Sequence, residues 1–555
     1  MSTTNPLSFT HHIATLCLAG LACIGLAGCS SDDTAHDHAT HALTLTGSAF
    51  AAAVNGAHCM VKDPANGAIL EGPVTTDAAG DYRITVHEAY LQGELLLECS
   101  GGSYVDEATG SSVADAGILS AHIAADSLDE DDQVHATPAS TLLATLINRF
   151  GHSLAEAQAL FTSAFGFSPD HAIAPADATH EAPDATDAQR LAGLRAAAFS
   201  QLGNDLGLDP ARQFDMLSAL AEDLADGQLD GAGSAGGITL AGTATALGAD
   251  IQNRFGRALL NFRAGGRDLS GLTNDKIGVL PFARTALTDR YRLRYLPDNL
   301  PGSMAAMQGK SRFQIAVTDA ATGLAPQTGL SLSLLPVMHM ASHSHGTPVD
   351  GCTETATAGT YACTVYYLMA SQMMNGTAMG YWDLRLLIDG TDETHFYPPV
   401  MMAMGDSTRA TLKGVDDRIA GMGQPESRSY YLFRSGLSGE TGNHRFQLFI
   451  AARENMMDYP ALASGSILNP GDAEHELSVT SISVEVSTDA GSWITASEDG
   501  GGYWTAEGLG GLDNGSQGEI HVRLSVNGEQ KSTDGNPATD GTAYATFLAT
   551  PAPNL

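Results

Sequence analysis

The spacing of apolar residues changes period twice along this chain. Over residues 43–125 apolar and polar positions alternate at period two, broken by the turn signals Asn66-Gly67 and Ala78-Ala79-Gly80, which predicts half-buried strands. From Ser127 onward the spacing turns helical. Leu and Ile recur at three and four residues over 140–150 and 153–165, and Ser153 with Glu156 has the spacing of a capping box. After a polar, proline-containing break at 168–186, helical spacing resumes over 188–206, 210–224 and 246–262. The acidic group Asp223, Asp226 and Asp230 lacks calcium-loop spacing and predicts a solvated helix end ahead of a glycine-rich hinge, 231–237. Beyond Leu272 period two returns for the rest of the chain.

In this last part the pattern repeats. Arg312-Phe313-Gln314-Ile315, a strand at 330–335, Gly359-Thr360-Tyr361 and Leu384-Arg385-Leu386 recur in order as Arg445-Phe446-Gln447-Leu448, 477–486, Gly501-Gly502-Tyr503 and Val522-Arg523-Leu524. The offsets, about 133 to 147 residues, vary no more than loops allow, so two tandem β-sandwiches are expected at 289–414 and 428–552. The whole reads as a multidomain α+β chain: a β-sandwich at 44–126, a helical bundle and hinge at 127–265, then two Ig-like β-sandwiches.

A length of 555 residues is enough for three or four domains. The formal charge of −36 excludes a nucleic-acid partner, which needs clustered Lys and Arg, and favours cations or a soluble, non-sticking exterior. Residues 13–28 form an apolar run too short to span a membrane, ending in Leu26-Ala27-Gly28-Cys29. This resembles the lipobox of bacterial lipoprotein signal peptides. The resemblance implies removal of residues 1–28, lipid attachment at Cys29, and a membrane anchor followed by a tether at 29–43 that carries His36, His38 and His41. Ser30, in place of Asp, points to the outer membrane, facing the periplasm or the cell surface. With Cys17, Cys23 and Cys29 set aside, Cys59, Cys99, Cys352 and Cys363 remain. Four cysteines allow three disulfide connectivities, of which the local one, Cys59–Cys99 and Cys352–Cys363, needs no contact between domains. No C-x-x-C spacing suggests zinc.

Two further resemblances concern the sandwiches. T-T-D-A-A-G-D-Y-R-I-T-V, residues 75–86, resembles the strand pair of carboxypeptidase-regulatory or prealbumin-like domains, which implies a spacer or carbohydrate-facing module. Tyr104-Val105-Asp106-Glu107-Ala108-Thr109-Gly110 is similar to a phrase common in lipoproteins of this build. The strand at 313–317, the loop Met338-His339-Met340 to His343-Ser344-His345-Gly346, Gly359 to Tyr361, and Met379-Gly380-Tyr381-Trp382 resemble the YtkA-like family, related in build to FixH and CopC-type sandwiches. Here His339 stands where that family has proline between the loop methionines, and an insertion brings Cys352, Cys363 and extra methionines.

The candidate chemistry sits in that loop. Nine of the seventeen methionines fall between Met338 and Met404, and thioether with imidazole selects soft or borderline metals, copper above all. At period two, Met338, Met340, His343 and His345 converge on one face with His339 on the other, and Met374 or Met379 arrives from the strand carrying Trp382. The expected ligands are Met338, His339, Met340, His343, His345, Met374 and Met379, holding Cu(I) at thioethers and Cu(II) at imidazoles, with a copper-accepting protein as a further partner. Two other uses remain: methionine as core filler, and a methionine-rich protein-binding surface. Adjacent Met373-Met374 and Met401-Met402 cannot all point inward, so at least one of each pair should leave the core. The second sandwich lacks the loop and its methionine cluster and serves as an internal control.

No H-E-x-x-H, G-x-S-x-G or phosphate loop is present, and a non-enzymatic protein is expected. The rival reading is an adhesion or scaffold lipoprotein whose sandwiches are spacers or glycan- and protein-binding modules. Trp493 and Trp504, near Asp489 and Asp499, would serve it as a sugar-stacking patch or else pack a core.

Overall fold

Alternation along Asp81–His87 is complete: Tyr82, Ile84 and Val86 are buried while the four residues between and beside them are exposed. A strand whose successive side chains point to opposite faces can cover a core with one set and meet water with the other. This strand pairs antiparallel with Ala42–Ser48. A second sheet runs in the order Ile69–Thr75, His58–Lys62, Glu94–Ser100, Ile118–Ala124. Both sheets supply one core, from Leu45, Val61, Ile84, Leu97 and Ile123. Cys59 and Cys99 are register partners on neighbouring strands and form a disulfide. The computed structural model describes residues 42–129, 132–298 and 304–552; the leader, Cys29 and His36, His38 and His41 lie outside these.

Five helices follow: α1 Pro138–Asn148, α2 Leu154–Phe165, α3 Asp187–Asp205, α4 Gln213–Leu224 and α5 Ile251–Ala264. Ser153 and Glu156 cap α2 reciprocally, and Thr137 with Ser140 and Thr186 with Gln189 do the same for α1 and α3. Phe161, Phe165, Phe199 and Phe255 pack at the centre of the bundle.

Two sequence expectations change here. Asp223 is fully buried and accepts the N–H groups of Asp230, Gly231 and Ala232. Burial pushes its carboxyl up to about 6, against those three hydrogen bonds. The helix end is therefore not solvated, and 231–237 is a small hairpin, Ala232–Gly233 against Gly236–Gly237, pinned by that carboxyl rather than a hinge. Helix α5 starts at Ile251 rather than 246 because Ala246 bridges Thr239 and the Leu247 N–H donates to Ile238.

The Tyr104 to Gly110 phrase is a staple between the first sheets and the helices. The Tyr104 hydroxyl donates to the Pro210 carbonyl at 3.2 Å, Ser200 donates to Asp106 at 2.6 Å, and Glu107 accepts the Ala52 N–H at 2.7 Å. Burial pushes the Glu107 carboxyl up to about 8.

The central sandwich sets a five-stranded sheet against a four-stranded one. The first runs Thr285–Leu287, Tyr291–Pro297, Gly309–Asp319, Thr360–Tyr367, Val349–Glu354. The second runs Ser344–Gly346, Leu332–His339, Tyr381–Ile388, Asp392–Phe396. Phe313, Ile315 and Val365 of one meet Leu334, Leu384 and Leu386 of the other. The C-terminal pair has sheets ordered Arg409–Ile419, Glu426–Glu440, Asn443–Ala452, Tyr503–Leu509, Ser497–Gly500 and Ile494–Thr495, Ile482–Ser487, Gly518–Val526, Glu529–Gln530. In chain order these strands pair in the same sequence in both, and the C-terminal pair has a further strand, Ala545–Ala549, beside Gly518–Val526.

The sandwiches also share a seam. Tyr366 stacks on Phe449 at 4.1 Å within a cluster containing Leu368 and Phe433, and the Tyr503 hydroxyl joins Tyr366 at 2.8 Å and Asp350 at 2.7 Å. Ala42–Leu555 accordingly form one compact unit, in which the modules are fused. Among the described residues no helix is long and apolar enough to cross a membrane.

Candidate metal centre

The register at the end of Leu332–His339 fixes where each candidate donor points. Met338 lies between His345 on one side and Trp382 on the other; His339 lies between Ser344 and Tyr381. Cross-strand partners share a face, so Met338, His345 and Trp382 make an inward row and His339, Ser344 and Tyr381 an outward one. In the outward row His339 Nδ1 bonds Ser344 Oγ at 3.0 Å and its ring stacks on Tyr381 at 4.9 Å. Burial holds the His339 pKa below its ordinary value.

In the inward row Met338 is fully buried in the sandwich core. His345 is 5% exposed, and its ring meets the edge of Trp382 at 5.5 Å. His345 Nδ1 lies 2.7 Å from the Gly346 carbonyl. A carbonyl only accepts, so Nδ1 carries the proton and Nε2 the lone pair. That Nε2 is buried and has no hydrogen-bond partner. Burial lowers the His345 pKa more than the Gly346 bond raises it, so the ring is neutral at pH 7.

Met340 follows the strand end, and its N–H donates to the His343 carbonyl at 3.0 Å, closing the turn. It is half-buried against the core that holds Met338. The His343 ring lies 6.3 Å from that of His345. Met379 is half-buried against the same core, and its N–H donates to Ser371. The next residue, Gly380, is needed there: a Cβ would stand 2.0 Å from the His339 carbonyl oxygen.

Met338, Met340, His343, His345 and Met379 are thus gathered at one end of the four-stranded sheet. His339 turns away, as the alternation predicts, and Met374 does not join. It sits in the tight turn Met373 to Gly376 and is 73% exposed. Neither Met374 nor Met379 arrives on the strand carrying Trp382, which begins only at Tyr381; both lie on the loop before it. Met373, Met401 and Met404 are also exposed, in keeping with the expectation that adjacent methionines cannot all enter the core.

The sequence reading missed Met456 and Met457. The Gly346 N–H donates to the Met456 carbonyl at 2.8 Å, and a Cβ on Gly346 would lie 2.2 Å from the Met457 carbonyl oxygen. Glycine alone lets that loop of the C-terminal sandwich close over the strand carrying His345. The signal was the Met456-Met457 dipeptide itself.

Cys352 and Cys363 are register partners on the five-stranded sheet and form the second disulfide. Among the described residues no group of three or more His, Cys, Asp or Glu is placed to hold a metal ion. Met338, Met340 and Met379 with His343 and His345 would make a soft donor set. Trp504 is a buried core residue, and Trp493 lies under Arg523, 3.8 Å from its ring centre, so the two do not form an open stacking platform.

No family model and no curated protein matches this chain. Among solved structures it is similar to an endo-fucoidan hydrolase from glycoside hydrolase family 107 at 11% identity and a TM-score of 0.13, covering 73% of this chain and 61% of that one. A variant of that hydrolase gives 9% identity and a TM-score of 0.11 over 60% of this chain and 52% of the other. The chain thus spans about half to three-fifths of the length of these structures, and scores this low carry no argument about fold or activity.

Proposed function

We propose that the chain is a lipid-anchored, non-enzymatic copper-binding protein of the periplasm or cell surface. In this reading Cys29 carries the lipid at the outer membrane, residues 44–126 are a prealbumin-like spacer, and the central sandwich is a YtkA-like domain that presents the metal to an accepting protein. One observation carries it: His345 Nε2 is buried and without a partner, and His345 is the register partner of the buried Met338. Leaving a buried acceptor unsatisfied costs about 1–3 kcal/mol. A ligand nitrogen whose other ring N–H is held by a carbonyl is also how metal-bound imidazoles are oriented.

His345 would supply the nitrogen and Met338 with Met340 or Met379 the sulfur, binding Cu(I) in preference to harder ions. The test is titration of the full chain with Cu(I), under anaerobic reducing conditions, against a chromophoric Cu(I) chelator. Retention of one equivalent that His345→Ala weakens by about a hundredfold or more supports the reading. Complete removal of copper by the chelator from the unaltered protein would end it.

A further inference from the structure

The chain carries 27 Lys and Arg against 63 Asp and Glu, so most arginines should lie beside a carboxylate. Several do: Arg290 pairs with Asp392 at 2.9 Å, Arg312 with Asp298 at 3.0 Å, and Arg254 with Asp250 at 2.9 Å. Three that share one cleft do not. Arg284, Arg292 and Arg294 line a cavity of about 740 Å³ between the helical bundle and the outer face of the central five-stranded sheet. Among the described residues none of the three is in an ion pair, and the Nε of Arg292 is buried without a hydrogen-bond partner. The cleft holds one carboxylate, Asp230, which is not paired with any of them.

The sheet dictates this convergence. Tyr291, Leu293 and Tyr295 point into the core, so Arg292 and Arg294 must both face outward. Thr285 is the register partner of Arg294, and the Tyr295 N–H donates to the Arg284 carbonyl at 2.8 Å, which sets Arg284 beside them. Positions two apart on a strand lie about 7 Å apart and neighbouring strands about 5 Å. The Arg292 guanidinium runs beside Gly323, Arg284 and Arg294 are exposed, and each of the three presents a planar fork suited to an oxyanion. A second large cleft along the same bundle, of about 560 Å³, makes the contrast. Its lining mixes Arg254 and Arg257 with Asp205, Asp250, Asp289, Asp392 and Glu393.

We propose that the Arg284–Arg292–Arg294 cleft binds a small organic anion bearing two or more carboxylate, phosphate or sulfate groups spaced to meet neighbouring guanidiniums. This is independent of the copper reading, since it uses a different face of the central sandwich and no thioether or imidazole.

The experiment is calorimetric titration of the full chain at low ionic strength with citrate and with pyrophosphate, using acetate as the single-charge control. Binding of citrate or pyrophosphate at least about tenfold tighter than acetate supports the proposal, and the tighter of the two fixes carboxylate or phosphate as the ligand class. Arg284 and Arg294 are exposed, so the double variant Arg284→Gln/Arg294→Gln should fold normally and weaken that binding about tenfold or more. Arg254→Gln, in the acidic cleft, should leave it unchanged. Equal, weak binding of all three anions would overturn the proposal, and so would a double variant that binds like the unaltered protein.

Discussion

The central and C-terminal sandwiches share one strand order and differ in what fills the same corner. Aligning Leu384-Arg385-Leu386 with Val522-Arg523-Leu524 and following the register places Thr488 where the central copy has Met338, and Ile520 where it has Trp382. The returning short strand carries Ile494 and Thr495 instead of a histidine. Ile520 is fully buried, and the Thr488 hydroxyl donates to the Gly510 carbonyl at 2.8 Å. The C-terminal corner is thus closed by a buried Ile520 and a hydrogen-bonded Thr488. A buried sulfur and an unsatisfied imidazole nitrogen are not demanded by this architecture. His444 Nδ1 in the C-terminal copy is also buried without a partner, so what sets the central corner apart is that such a nitrogen, on His345, is the register partner of a buried methionine.

Four changes should separate the copies further. Met338→Ala should cost about 3–4 kcal/mol, because it opens a cavity in a fully packed core. Thr488→Ala should cost about 1 kcal/mol, and denaturant unfolding measures both. Met338→Leu keeps the volume and should stay within about 1.5 kcal/mol of the unaltered protein while weakening Cu(I) binding. A loss between those of Met338→Ala and Thr488→Ala is expected from Cys352→Ser with Cys363→Ser. Opening a loop of 11 residues should cost about 2–3 kcal/mol, visible as a lower midpoint in urea.

Acid is the third probe. Burial lowers the folded pKa of His345 below its unfolded value of about 6.5, so the unfolded state takes up a proton first. The stability this group contributes is present above about pH 6.5 and is lost as pH falls through the folded pKa. Unfolding followed between pH 7 and pH 4 should show a slope that His345→Gln reduces. His135, which accepts the Ser48 N–H and whose pKa burial pushes down to about 4, keeps part of it, as do His171 and His339, which burial also lowers. The smallest effect belongs to Met374→Leu and Met404→Leu. Both side chains are exposed, so stability should move by less than about 0.5 kcal/mol and Cu(I) affinity should hold.

Much of this was legible because it is local. Period two gave the strands, spacing at three and four the helices, and Ser153 with Glu156 a helix start. Inward and outward alternation correctly split Met338 from His339. What the sequence hid depends on contacts distant along the chain. Asp223 looks like a solvent-facing helix end, and only the chain returning at Asp230 to Ala232 makes it a buried anchor. Met374 looked available until Asn375-Gly376 proved to be a turn that carries it into solvent, with the Thr377 N–H on Asn375 Oδ1 at 3.0 Å. The backbone of Met456 and Met457 reaches Gly346, next to His345, only because one sandwich docks on the other there. The three cleft arginines passed as ordinary outward residues, since the helix residues that wall them in, such as Gln252 and Leu224, lie more than thirty positions upstream.

The most direct measurement is X-ray absorption at the copper edge on the full chain loaded with one equivalent of Cu(I), compared with His345→Ala. Copper held at this corner should show imidazole nitrogen and thioether sulfur together in its first shell, with the nitrogen contribution and most of the bound copper lost in the variant. A shell of nitrogen and oxygen without sulfur, or a spectrum that His345→Ala leaves unchanged, would contradict a copper site between the Met338 and His345 side chains.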